Sequence, residues 1–230
     1  MRDDAYLIIS DLQVPFHYRP ALRLCLSILK EFRIPRRNAI CVGDEVDQFH
    51  GGQWPKSPNA LHTAEQELDE TIEVLREWYS AFPVMRVCDS NHRDRWDKKA
   101  AASQIPHRLM RPWREVTEAP KGWQWRKRWD VNTRHPFTVI HGVGYSGQNA
   151  TKQMVADYGR SIVHGHLHAG GGVHYVSTAG GTRWGMNSGC LIDLEAYAYE
   201  YGKDNRLKPT LGLGVVVDNG RRPIFIPVGL

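Results

Sequence analysis

The stretch NAICVGDEVD, residues 38–47, runs a short apolar segment straight into a glycine followed by three acids, Asp44, Glu45 and Asp47. An apolar run of this length that ends at glycine reads as a buried strand. In open α/β sheets ligands bind beyond the carboxyl ends of strands, which is where these acids fall. The same grammar recurs on both sides. AYLIIS (5–10) leads to Asp11 and Gln13, and PVMRVC (83–88) leads to Asn91 and His92. FTVIHG (137–142) ends in His141, and RSIVHG (160–165) leads to His166 and His168. Between these strands, ALRLCLSILKEF (21–32), ALHTAEQELDETIEVLREWYSAF (60–82) and ATKQMVADYG (150–159) space their apolar residues as helices do. Beyond about residue 170, GVHYVSTAGG, TRWGMNSGCLIDL, LGLGVVVDNG and RPIFIPVG read as strands joined by glycine-rich turns. The expectation is an α/β fold, a layered β-sandwich of mixed sheets flanked by helices, in a single domain over residues 1–230.

Composition narrows the class. Hydrophobic residues are 41% of the 230 and charged residues 24%, as in globular proteins, and no apolar run approaches membrane-spanning length. The acids near the start do not suit a signal peptide, so a cytoplasmic location is expected. The four cysteines, Cys25, Cys41, Cys88 and Cys190, are scattered, three of them in apolar segments, which suits buried free thiols. The net charge of +5 is concentrated: residues 93–134 hold twelve Lys and Arg against five Asp and Glu, and five of the eight tryptophans. Basic residues interleaved with aromatics can follow a phosphate backbone and stack bases. They can equally form a solvated basic face whose tryptophans anchor an excursion to the core. The segment is read as a basic, Trp-rich insertion or cap.

The polar residues at the strand ends are carboxylates, carboxamides and imidazoles with no thiol among them. That set suits Mn²⁺, Fe²⁺, Zn²⁺ or Mg²⁺ and argues against a structural zinc site. So many such residues exceed what one ion needs and suit two ions sharing a carboxylate. Residues at i and i+2 of an extended segment point the same way, so Asp11 with Gln13, and His166 with His168, can each address one place.

The motifs DLQ (11–13), GDEVD (43–47), SNHR (90–93), IHG (140–142) and GHLH (165–168), in this order, resemble the signature of the calcineurin-like metallophosphoesterases. NSGC (187–190) resembles that family's short segment after its last histidine motif. The resemblance implies that Asp11, Gln13 and His168 hold one metal, that Asn91, His141 and His166 hold the other, and that Asp44 bridges them. It implies that His92 is no ligand but faces the scissile phosphate as general acid. Gln13 stands where most members carry histidine, which implies looser binding there and a tilt toward Mn²⁺ or Mg²⁺. Arg93 stands where an acid usually steadies the catalytic histidine, so Asp94 is the nearest substitute in sequence. The implied activity is phosphoester hydrolysis by metal-activated hydroxide. A phosphodiesterase or nuclease acting on nucleic acid or nucleotide esters is expected, with phosphomonoesterase as the alternative and a catalytically degenerate binding module behind it. Two Mn²⁺ ions are the expected cofactors. Asp47 is expected to make structural hydrogen bonds, His164 to be a core histidine, and His17 and His50 to be solvated loop residues.

Overall fold

Alternation along the strands sorts the side chains into two cores. The computed structural model describes residues 4–53, 56, 58, 60–196, 198–199 and 206–229; the first three residues and the last of the expected domain lie outside these. In β1 (Tyr6–Ile9), Leu7 and Ile9 face one core and Ile8 the other. In β2 (Ala39–Cys41), Ala39 and Cys41 join the first core while Ile40 joins the second. The period of two in a strand buried on both sides produces this division.

The first core lies between a six-stranded sheet and the helices α1 (Ala21–Glu31) and α2 (Ala64–Ala81). The sheet runs β11-β10-β1-β2-β3-β4, with β3 at Met85–Cys88, β4 at Trp123–Arg126, β10 at Gly212–Val217 and β11 at Arg222–Pro227. Strands β1 to β4 are parallel, and β10 and β11 add antiparallel neighbours. The second core lies between this sheet and a five-stranded one, β5-β6-β7-β9-β8. Its strands are β5 (Arg128–Val131), β6 (Phe137–Ile140), β7 (Ser161–His164), β8 (Gly172–Thr178) and β9 (Gly181–Asn187). Strands β6, β7 and β9 are parallel, flanked by antiparallel β5 and β8. Helix α5 (Ala150–Tyr158) covers the outer face, packing Ala150, Met154 and Val155 on Ile140 and Ile162. The layers are helices, mixed sheet, mixed sheet, helix, as expected.

Helix α2 begins at Ala64, later than the apolar pattern from residue 60 suggests, because Thr63 and Gln66 form a capping box that fixes its start. The stretch 93–134 does not remain outside the sheets as an insertion would. Helices α3 (Arg95–Ala102) and α4 (Trp113–Val116) lie outside them, but β4 and β5 are edge strands of the first and second sheet. The chain therefore crosses between the sheets at Lys127. Trp123 and Trp129 are buried, and their indole N–H groups donate to the carbonyls of Phe82 (2.7 Å) and Val87 (2.8 Å). These two tryptophans anchor the crossing.

All four cysteines are free and buried, and burial pushes the Cys25 thiol up to about 12. Among the described residues no helix is long and apolar enough to cross a membrane.

Truncating Trp123 removes a filled volume and a buried donor together. Trp123→Ala is expected to cost roughly 3–5 kcal/mol in urea unfolding. A loss below about 1 kcal/mol would mean that the crossing is not anchored there.

Candidate metal centre

The carboxyl ends of β1, β2 and β3 from one sheet, and of β6 and β7 from the other, meet at one place. Asp11, Asp44, His141, His166 and His168 converge there. Among the described residues two groups have ligand atoms all within 4.8 Å of one another: Asp44 with His141 and His166, and Asp11 with Asp44 and His168. Asp44 belongs to both. Asn91 borders the first group, its Oδ1 2.9 Å from His141 Nε2. Gln13 borders the second, its Nε2 3.2 Å from His168 Nε2 and 3.4 Å from Asp44 Oδ2.

The backbone is shaped to bring them in. Gln13 (φ 53°), Asp44 (φ 46°) and His166 (φ 66°) all adopt the left-handed conformation. Each costs on the order of 1–3 kcal/mol in a residue with a side chain, and such costs gather at functional sites. The Asp44 carbonyl accepts from the amides of Leu12 (3.0 Å) and Gln13 (2.7 Å), tying the end of β2 to that of β1. Glycine is required twice for close approach. A Cβ at Gly165 would meet Asp11 Oδ1 at 2.3 Å, and one at Gly43 (φ 110°) would meet His141 Nδ1 at 2.8 Å.

The donor set fits a cation on two counts. Asp11 is fully buried; its Oδ2 accepts from the His166 amide (2.7 Å), but its Oδ1 has no hydrogen-bond partner. A buried carboxylate oxygen left bare is costly unless positive charge faces it. His141 supplies the second count. Its Nδ1 donates to the Val42 carbonyl at 3.1 Å, so in the neutral ring Nε2 carries a lone pair. That lone pair faces Asn91 Oδ1 at 2.9 Å and Asp44 Oδ2 at 3.3 Å. Acceptors meeting in this way need a proton or a metal between them. Burial disfavours the charged imidazole, but Asp44 and then Asp11 outweigh it and raise His141 to about 9. Burial likewise opposes ionisation of Asp44, and His141 and His92 more than offset it, holding the carboxyl well below its usual range.

His92 is buried beside this cluster, its Nε2 3.7 Å from Asp44 Oδ2 and its Nδ1 3.8 Å from Asp47 Oδ2. Arg95 donates to His92 Nε2 at 2.8 Å and to Asp47 Oδ1 at 2.8 Å. Arginine only donates, so the resting ring carries its proton on Nδ1. Desolvation first, with Arg95 adding to it against the pull of Asp44, lowers His92 to about 3, so the ring is neutral. Asp94 does not take the steadying role: Arg93 pairs with Asp89 (2.9 Å) and reaches Asp94 (3.9 Å), while Asp47 and Arg95 surround the histidine.

Arg95 and Tyr199 are residues that sequence reasoning missed. The Tyr199 hydroxyl donates to Gln13 Oε1 and lies 3.4 Å from Asp47 Oδ2. Gln13 thus turns its amide nitrogen, not its oxygen, toward Asp44 and His168. To offer oxygen to a cation the amide must turn over, and a hydroxyl can complement either face. His164 points elsewhere. Its Nδ1 donates to the Gly165 carbonyl (2.8 Å), its Nε2 accepts from Thr151 (2.8 Å), and burial lowers it to about 4, which makes it a neutral core histidine. His17 is buried rather than solvated, 3.2 Å from the Pro15 carbonyl. His50, partly buried, binds the His62 carbonyl at 2.6 Å.

A divalent ion is expected to raise the thermal midpoint, at one hundred times Kd by about 2.7 kcal/mol of stabilisation. Asp44→Asn should abolish that gain and Asp94→Ala leave it intact. Because His141 holds a proton until about pH 9, binding at pH 7–8 should release one, and affinity should rise with pH up to that point. The check is calorimetry in buffers of different ionisation enthalpy. Two unequal binding events are expected, the weaker on the Gln13 side, and Gln13→His should strengthen it.

No protein-family model matches the chain, and no curated protein matches it. Among solved structures, the crystal structure of a Vps29 single mutant from Entamoeba histolytica aligns with a TM-score of 0.44 and 11% identity, over 98% of this chain and 99% of that one.

Proposed function

We propose that this chain is a divalent-metal-dependent phosphoester hydrolase with a dinuclear centre, and that it favours phosphodiesters over monoesters. The observation that carries this reading is Asp44, fully buried and common to both donor groups. Asp11, Gln13 and His168 would share one ion with it, and Asn91, His141 and His166 the other. Oxygen and imidazole donors suit Mn²⁺, with Fe²⁺, Zn²⁺ or Mg²⁺ compatible. Ions bound there would supply the Lewis acidity that activates water and neutralises charge on a phosphoryl group.

The chain's own residues then have distinct tasks. Arg95 is held by Asp47 and rests on His92 Nε2. A phosphoryl oxygen is a better acceptor for a guanidinium than an imidazole is. An anionic substrate would draw Arg95 to itself, and its negative charge would favour the imidazolium, so that the freed His92 Nε2 would take a proton from solvent and pass it to the ester oxygen as that departs. Asp47 positions both groups.

A cavity of about 1090 Å³ opens from Asp44, His92, His166 and His168. It is larger than a phosphoryl group needs and supports an ester with a sizeable organic part. The tryptophans give little support to stacking along a nucleic-acid strand. Trp123 and Trp129 are buried, Arg114 lies 5.3 Å and Arg93 6.0 Å from the Trp125 ring, and Lys99 lies 5.2 Å from that of Trp96. A nucleotide-sized ester is therefore favoured over a polymer.

The test compares a bis-aryl phosphate with a mono-aryl phosphate in Mn²⁺. The diester should turn over with the higher kcat/KM. A strong monoester preference would overturn the diester reading, and no turnover of either with metal bound would leave a binding module. His92→Ala should retain metal yet lose roughly 10²–10⁴-fold on alkyl leaving groups, and much less on activated aryl ones. Equal, small losses on both would exclude His92 as the proton donor.

A further inference from the structure

The cavity beside the metal-ligand cluster has a lining of mixed character. Asp44, His92, His166 and His168 belong to it. So do Leu167, from the loop after β7, and Leu194, Leu207 and Pro209, from the segments around residues 194 and 207–210. Leu194 and Leu207 are 37% and 56% exposed, so apolar side chains border a space wide enough for a ligand of nucleotide size. Outside the cluster, the charged lining residues are Lys208 and Glu195, which cancel. A polyanion is held by several cations along its path, and these walls do not offer them.

We propose that this apolar part of the lining is a binding subsite for the organic group of the substrate: an uncharged, ring-bearing alcohol, of nucleoside or aryl type, esterified to the phosphoryl group held at the cluster. The assignment rests on the phosphoesterase reading for its phosphoryl end. In the reaction it serves, water oxygen forms a new bond to phosphorus and the bond from phosphorus to the alcohol oxygen breaks. One water proton ends on the alcohol and the other passes to solvent. The apolar walls act by removing ring surface from water, so they select between esters that present identical phosphoryl groups to the cluster.

The experiment measures binding as well as turnover. The Mn²⁺-treated protein is titrated with phenylphosphonate and with methylphosphonate, which carry no hydrolysable ester. Phenylphosphonate should bind about ten-fold more tightly. In Leu194→Gln and in Leu207→Gln, with folding verified by thermal midpoint, that ratio should fall toward one. Equal affinities in the wild type, a ratio that survives both substitutions, or no binding of either probe overturns the subsite. Aryl and alkyl phosphate esters are assayed in parallel. Ester hydrolysis without a phenyl preference keeps the hydrolase reading and rejects the subsite. A phenyl preference lost in the variants, with no ester hydrolysed, keeps the subsite and rejects the hydrolase.

Discussion

Two carboxylates, Asp11 and Asp44, are sealed from solvent at the seam between the sheets, and their negative charge governs everything around them. Burying even one such group is unfavourable unless positive charge or hydrogen bonds face it. The protein answers with backbone amides, which orient the carboxyls, and with imidazoles, which supply charge. The His166 amide holds Asp11 and the His92 amide lies 3.3 Å from Asp44 Oδ1. His141 is drawn toward its charged form by these acids. Asp11 Oδ1 accepts no hydrogen bond and lies 3.9 Å from His141 Nδ1.

Maintaining that arrangement requires strain at Gln13, Asp44 and His166, and the two cores hold it in place. Directly behind the strained residues, Leu12, Val42 and Val46 are almost fully buried. The segments that carry the donors are thereby fixed against rigid sheets. The placement across two sheets also explains why donors so distant in sequence meet. Parallel strands on both sides of the second core end at the same edge, so each delivers its last polar residues to one point.

Much of this was legible in the sequence because apolar runs ending in polar residues carry both strand position and direction. The convergence of Asp11, Asp44, Asn91, His141, His166 and His168 follows from that grammar. Other features were hidden for physical reasons. In β4 and β5 the buried tryptophans alternate with Gln124, Arg126, Arg128 and Asp130, so the edge strands look like a charged surface segment. Arg95 reaches His92 because the chain turns there, with the Arg95 amide on the His92 carbonyl at 3.1 Å, and no spacing rule marks that turn. Tyr199 belongs to no motif; only tertiary packing brings its hydroxyl to Gln13.

The distribution of the free thiols has a consequence of its own. Cys25 and Cys41 lie in the core under the helices, Cys88 in the core between the sheets, and Cys190 in a third cluster with Phe16 and Ile192. An alkylating reagent can reach each sulfur only when its surroundings open. The chain therefore carries its own set of chemical clocks, and the order in which they are modified reads out which layer loosens first.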